Sequence, residues 1–467
     1  MDLTSSLGNI NEASTPATAS TARTDHPRPV ATAERIKTID VIRGVALLGI
    51  LMMNIPGFGI HGSVFPAIVK GPRNSADFYT LGAIEMFFSG TMRGLFSMLF
   101  GAGMILFMLN KKQTPGGVTV AEYYYRRLLW LVLFGVINAY VFLWPGDILF
   151  FYGLCGMLLF PFRKLRPQWL ILIGFLCIGI GIQKNMKWFN QMADTRAKYL
   201  EAVAAKKANK EPTDEQKEAK TAWLEREKWQ TPDTARINRE IKKMHGGYAT
   251  IFDFYLPRNS STETWAMYHG LWDMLCMMFI GMGLFGWGFF SNKLSTSTYL
   301  MGLLTGYGVG ILLGWIIFFK GQLGFFVNAG AYIDQYRVPH FVMDDFRRLF
   351  LCIGHASLIL LVFRSRLVPW LMKALASTGQ MAFTNYLMQS IICSLFFYGY
   401  GLGYYNKLAF HQLYYVVAAI WILQMIFSSI WLSYFRFGPF EWVWRSLTYW
   451  EKQPMRITSV EPVAATA

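Results

Sequence analysis

Apolar runs recur along the chain near 39–57, 81–109, 127–144, 148–162, 168–184, 270–290, 297–319, 348–363, 380–399 and 412–434. A helix rises about 1.5 Å per residue, so a hydrocarbon core of about 30 Å needs roughly 20 apolar residues, and each run comes near that length. The run 148–162 is short and borrows flanking residues. The pattern predicts an all-α fold, a polytopic integral membrane helical bundle of about ten transmembrane helices. Between the fifth and sixth runs the pattern changes. Residues 185–265 are dense in Lys, Glu, Gln and Ala, which predicts a solvated charged helix interrupted at Pro212. That segment reads either as an exposed helical hairpin or as a cap over a substrate site, with Tyr248 to Leu256 resting on the membrane. The chain therefore divides into a disordered tail (1–34), an N-terminal transmembrane half (35–184), the insert (185–265), a C-terminal transmembrane half (266–450) and a second tail (451–467).

Composition supports this division. Hydrophobic residues make up 54% of the chain and charged residues 15%, against about a quarter charged in soluble domains. The net charge of +16 comes mainly from short basic groups at the ends of the apolar runs, which is a topology signal and argues against a nucleic-acid partner. Arg35, Lys37, Lys111, Lys112, Arg126, Arg127, Arg163, Lys164, Arg166, Lys293, Arg364, Arg366, Lys373, Arg436 and Arg445 all fall on one side if the number of spans is even. The positive-inside rule makes that side cytoplasmic, with both termini inside and the insert outside. The five cysteines all lie within apolar runs and form neither a disulfide framework nor a metal-ligand spacing. Gly302, Gly306, Gly310 and Gly314 repeat every four residues, a smooth stripe suited to close helix packing.

Charge inside a span costs on the order of 2.5–3.5 kcal/mol on insertion scales, so each such residue calls for a partner or a purpose. The first span, Arg35 to Pro56, carries Asp40, Arg43 and Asn54, which at about 100° per residue fall within about 60° of one another. His61 follows on a glycine-rich loop, where its imidazole could return over the mouth of a tunnel and act as a general base. Arg93 lies deep in the second span with Glu85 on its face; it either pairs with Asp40 or Glu85 or binds an anionic or carbonyl group. Asp147, in WPGD, is a candidate to orient such a base, or simply the cap of the next helix. Among the other histidines, His355 within the eighth span suits a packing role, while Asn385 and Gln389, one turn apart in the ninth, read equally as helix-to-helix glue or as substrate contacts. No P-loop, GxSxG, HExxH, Cys/His metal cluster or dinucleotide fingerprint is present.

The run RIKTIDVIRGVALLGILMMNI resembles the opening motif of the YeiB-like membrane proteins. SMLFGAG (97–103), WPGDILFFYGLCGMLLFPFR (144–163), STGQMAFTNYLMQSIICSLFFYGYGLG (377–403) and GPFEWVWRSLTYW (438–450) resemble later motifs of that family in the same order. Asn138 stands where such sequences often carry His. The family is itself similar to transmembrane acyltransferases, which implies an acyl-CoA donor bound from the cytosol, an acceptor on the other side and a histidine beyond the Asp-x-x-Arg-Gly helix. Carried onto this chain, the resemblance matches Asp40, Arg43 and Gly44 to the motif, Asn54 to a helix-end asparagine and His61 to the catalytic histidine; with Asp147 orienting the base, the expected catalytic set is His61, Asn54 and Asp147. Asp40, Arg43, Arg93, Arg126 and Arg127 would serve the donor, whose pantetheine arm would run up the first helix. The expectation is a bacterial inner-membrane enzyme moving an acyl group, such as acetyl, from acyl-CoA to an envelope glycan or other acceptor. It would lie among membrane lipid, with a homodimer left open. The rival expectation is a permease for a lipid-linked or acidic small molecule, using Arg93 and Glu85.

Overall fold

The computed structural model describes residues 36–109, 119–230 and 233–457; the first tail and Lys111 and Lys112 lie outside them. Helix α1 spans Lys37–Gly59 and carries Pro56 within its last turn. A proline there removes a single intrahelical hydrogen bond, so the helix continues past the expected stop at Pro56. Short α2 (Val64–Lys70) leads to α3 (Ala76–Phe87), capped by Ser75, whose hydroxyl accepts the Phe78 N–H. At Gly90 the backbone is left-handed, φ +68°, which glycine adopts without strain. The chain turns there into α4 (Thr91–Leu109), so the run expected as one helix over 81–109 is two helices in succession. Then come α5 (Val120–Tyr140), opened by a Thr119–Glu122 capping box, and α6 (Leu149–Leu159), extended by a 3-10 turn at Phe160–Lys164.

Helix α7 (Pro167–Lys207) has 41 residues and is roughly 60 Å long, so no break separates the fifth apolar run from the insert at 184–185. The rest of the insert is α8 (Asp214–Gln230), α9 (Thr234–Met244) and α10 (Tyr248–Ser261). A π-helical turn at Thr262–Ala266 enters α11 (Met267–Gly286). Helix α12 (Thr296–Trp315) runs through a π segment, Ile316–Gln322, into α13 (Leu323–Val327). After α14 (Ala329–Gln335) come α15 (Asp344–Ser365), α16 (Pro369–Gln380), α17 (Ala382–Phe397), α18 (Leu413–Tyr434) and α19 (Pro439–Tyr449).

Each of the ten apolar runs falls on helix. Among the described residues, six helical stretches, 37–59, 76–108, 167–207, 296–327, 340–365 and 413–434, are long and apolar enough to cross a membrane, and the shorter apolar helices 270–286 and 382–397 lie among them. The architecture is an all-α, multi-pass membrane bundle. Helix α1 is at its centre, packed against α4, α16, α17 and α18. Its backbone meets that of α16 directly: a Cβ on Gly44 would strike the Leu375 carbonyl. The glycine stripe of α12 lies on α15, with Gly306 against the backbone of Gly354. Helices α17 and α18 are joined by amides, Asn385 Nδ2 donating to Ser428 Oγ (2.8 Å) and Gln389 Nε2 to Gln424 Oε1 (3.0 Å). His355 has the packing role expected of it, with Nδ1 2.8 Å from the Tyr307 hydroxyl and Nε2 3.1 Å from the Phe87 carbonyl. The insert is seated on the bundle: Ile251 and Tyr255 of α10 are buried with Leu143 and Tyr398, and Gly399 N–H donates to the Met244 carbonyl. The two ends of α1 thus define an Arg43 face and a His61 face.

Candidate functional site

On the Arg43 face a cavity of about 250 Å³ lies among α1, α4, α5, α6, α17 and α19. Its walls are apolar and aromatic, with Leu99, Phe100, Phe107, Leu131 and Phe383 among them. Its charge comes from Asp40, Arg43, Arg127, Glu441 and Arg445. Asp40 and Arg43 are one helical turn apart, which brings Arg43 Nη1 to 3.0 Å from Asp40 Oδ1. Arg127 stacks on Trp444 at 4.2 Å and faces Phe107 at 5.4 Å. Glu441 is buried and accepts the Phe383 N–H (2.7 Å), the Thr384 N–H (3.0 Å) and the Thr384 hydroxyl, closing the first turn of α17. An amphiphile with an anionic head suits such a space, because guanidinium groups pair with phosphate or carboxylate while the walls take a tail.

Of the residues expected to serve a donor, Asp40, Arg43 and Arg127 line this one cavity. Arg126 is outside its lining, donating to the Thr448 carbonyl at 3.2 Å and lying over Tyr123 and Trp450. Arg93 is elsewhere too. It pairs with Asp273 of α11, which also binds Arg348, and Arg348 in turn binds Asp345. The expected partners of Arg93, Asp40 and Glu85, are therefore replaced by Asp273. The turn at Gly90 moves Glu85 onto a separate helix, where it accepts from Gln322 Nε2 at 3.1 Å. Close mutual pairing is what makes buried charge tolerable. Asp273 was detectable in the sequence as a lone acid within an apolar run.

The inner end of the cavity is polar. Tyr152 and Tyr386 line it. The Tyr152 hydroxyl is 2.7 Å from Ser97 Oγ and 3.1 Å from the Arg93 carbonyl, so Arg93 is one layer beyond the wall. The Tyr386 hydroxyl accepts the Ile148 N–H (3.1 Å) and donates to Asp147 Oδ1 (3.4 Å). Asp147 also accepts from Asn138 Nδ2 (2.8 Å) and, as a cap on α6, from the Phe150 N–H (2.9 Å). Among the described residues none of its bonds reaches His61, so the expected pairing of these two is absent.

His61 is on the opposite face. It is eighteen residues beyond Arg43, roughly 25 Å along a helix. Leu47, Ile50 and Leu51 fill that interval with almost no exposure, so the polar face of α1 is no open channel for a pantetheine arm. Asn54 is half-buried and makes no side-chain hydrogen bond among the described residues. His61 Nε2 is 2.9 Å from Glu240 Oε2 of α9, and Nδ1 is 2.9 Å from Ser63 Oγ. The backbone is pinned as well, His61 N–H donating to Asn406 Oδ1 at 3.2 Å. Glu240 was invisible to sequence reading, being one acid among many in a charged insert.

Residues 284–451 match the family described as "Protein of unknown function (DUF418)". The chain is 29% identical over 436 residues to the uncharacterized protein YxaH of Bacillus subtilis (strain 168), covering 92% of this chain and 98% of that one. It is 31% identical over 425 residues to the uncharacterized protein YeiB of Escherichia coli (strain K12), covering 89% and 96%. An uncharacterized 39.9 kDa protein in the amylase 3' region of Bacillus acidopullulyticus is 26% identical over 429 residues, covering 91% and 97%. No solved structure matches. With an all-α membrane bundle and end-to-end similarity to YeiB, the chain belongs to the YeiB-like, DUF418 family of multi-pass membrane proteins.

Proposed function

We propose that this protein is a membrane acyltransferase of the bacterial inner membrane, with both termini and the Arg43 face in the cytoplasm. It draws an acyl group, such as acetyl, from cytosolic acyl-CoA and delivers it to an envelope glycan or other acceptor on the His61 face, a transfer that requires the packed turns of α1 around Leu47 and Leu51 to part from their neighbours during turnover. The observation that carries this reading is the cavity in which Arg43, Arg127 and Arg445 accompany an apolar, aromatic body. Its volume of about 250 Å³ is just below the roughly 300–1,000 Å³ usual for ligand pockets, which suits an acyl-pantetheine arm rather than a whole acyl-CoA, with the nucleotide phosphates left at the arginines. The basic groups at the ends of the spans support the orientation.

The reading is tested in proteoliposomes loaded with acetyl-CoA and given envelope glycan outside. Acyltransfer releases free thiol inside and leaves acetyl on the glycan outside, and Arg43→Ala slows it at least about tenfold, the loss expected for one charge-assisted hydrogen bond. The packed interval between Arg43 and His61 favours a second reading, a permease for a lipid-linked or acidic amphiphile that alternates access between faces. Uptake of such an anion with no thioester consumed would favour the permease.

A further inference from the structure

We propose that Ser63, His61 and Glu240 form a nucleophilic centre on the His61 face that takes acyl esters or thioesters and carries the acyl group as an ester on Ser63. The Ser63 N–H lies 3.1 Å from His61 Nδ1 and donates to it, which marks Nδ1 as the acceptor nitrogen. The ring proton of neutral His61 therefore resides on Nε2 and is donated to Glu240 Oε2 at 2.9 Å. In that tautomer Nδ1 shares its lone pair between the Ser63 N–H and the Ser63 hydroxyl, 2.9 Å away, and a carboxylate stands on the far side of the ring to stabilise the imidazolium that proton transfer creates. The two ring nitrogens exchange roles relative to serine proteases, but such a constellation is defined by geometry and roles rather than by atom labels.

The surroundings hold this arrangement and leave it accessible. Asn406 accepts the His61 N–H and donates its own N–H to the Gly59 carbonyl at 2.7 Å, tying the turn to the end of α1. Arg236, one turn before Glu240, is 3.8 Å from that carboxylate. Ser63 is partly exposed, and beside it Gly62 is exposed with nothing within 4 Å of a Cβ placed on it, which leaves an open side next to the serine. Glu240 belongs to the insert, which thereby completes a site begun by the loop after α1.

In the first step Ser63 Oγ attacks the acyl carbon and its proton passes to His61 Nδ1. The bond from carbon to the leaving oxygen or sulfur breaks, and the alcohol or thiol departs with that proton. Water or an acceptor hydroxyl then attacks the Ser63 ester, gives its proton to His61, and Ser63 Oγ recovers it. This centre does not depend on what the Arg43-face cavity binds, so its test is separate from the acyl-CoA reading.

The purified full-length protein in detergent is treated with an alkyl fluorophosphonate, and the adduct is located by peptide mass mapping. The expected result is a phosphonyl adduct on Ser63, absent in Ser63→Ala. Labelling should slow at least about 100-fold in His61→Ala and at least about tenfold in Glu240→Gln, with all variants eluting as the natural protein does in size-exclusion chromatography. No adduct on Ser63 in the natural protein, or an undiminished labelling rate in either the His61 or the Glu240 variant, overturns the proposal.

Discussion

Arg127 shows how much of a site depends on the shape of one side chain. Its guanidinium lies over the Trp444 ring while lining the Arg43-face cavity, so it combines a cation–π contact with planar hydrogen-bond donors. A lysine keeps the charge but loses the planar donor fork and weakens the contact with the ring. Arg127→Lys is therefore expected to weaken acyl-CoA binding about tenfold, measured by calorimetry; unchanged affinity would remove Arg127 from the donor site. Glu441 has a different duty, holding two N–H groups and a hydroxyl at the start of α17. Glu441→Ala leaves those donors buried and unpaired at a cost of about 1–3 kcal/mol, which a lowered unfolding temperature in detergent would report. Asp40 and Arg43 were legible from sequence because a helix brings positions three apart together. Glu240 was not, because nothing local connects it to His61, 179 residues away.

At the scale of elements, the apolar runs and the glycine stripe were legible because each is a periodic pattern within one segment. Gly306→Leu should disrupt the contact of α12 with α15, since even a Cβ would sit 2.5 Å from the Gly354 nitrogen, whereas a Cβ on Gly308 meets nothing within 4 Å. Such overpacking costs about 1–3 kcal/mol. Thermal unfolding in detergent should separate the two, with Gly306→Leu destabilised and Gly308→Leu near the natural protein. Element ends were harder to read. Residues 185–207 contain neither Gly nor Pro, so α7 continues into the insert although its hydropathy changes there. The insert also contains a pH-sensitive cap: the Arg236 N–H, 3.0 Å away, holds the Asp233 carboxyl below its ordinary value of 3.8. A depressed carboxyl stabilises the fold above its unfolded pKa, and that stabilisation is lost as pH falls through the folded value. Amide exchange over 234–244, corrected for intrinsic rates, should be constant from pH 6 down to about pH 4 and accelerate as pH falls below 3.8, and Asp233→Asn should abolish this dependence.

For the whole molecule, the sequence pointed to both ends of α1 but not to what lies between them. The regular face carrying Asp40, Arg43 and Asn54 suggested one continuous path; in the folded chain the intervening turns are sealed by neighbouring helices, as the full burial of Leu47 and Leu51 shows. Long-range packing of this kind leaves no local trace in a sequence. The result is a cavity on one face, a His61 centre roughly 25 Å away on the other, and an insert that reaches down to the second. The most direct test of the donor site is calorimetry of acetyl-CoA with the purified protein beside Arg43→Ala and His61→Ala. Binding that weakens at least about tenfold in Arg43→Ala and is unchanged in His61→Ala is the predicted result. No binding of acetyl-CoA or longer acyl-CoA, or equal binding by Arg43→Ala, would contradict the account and favour the permease.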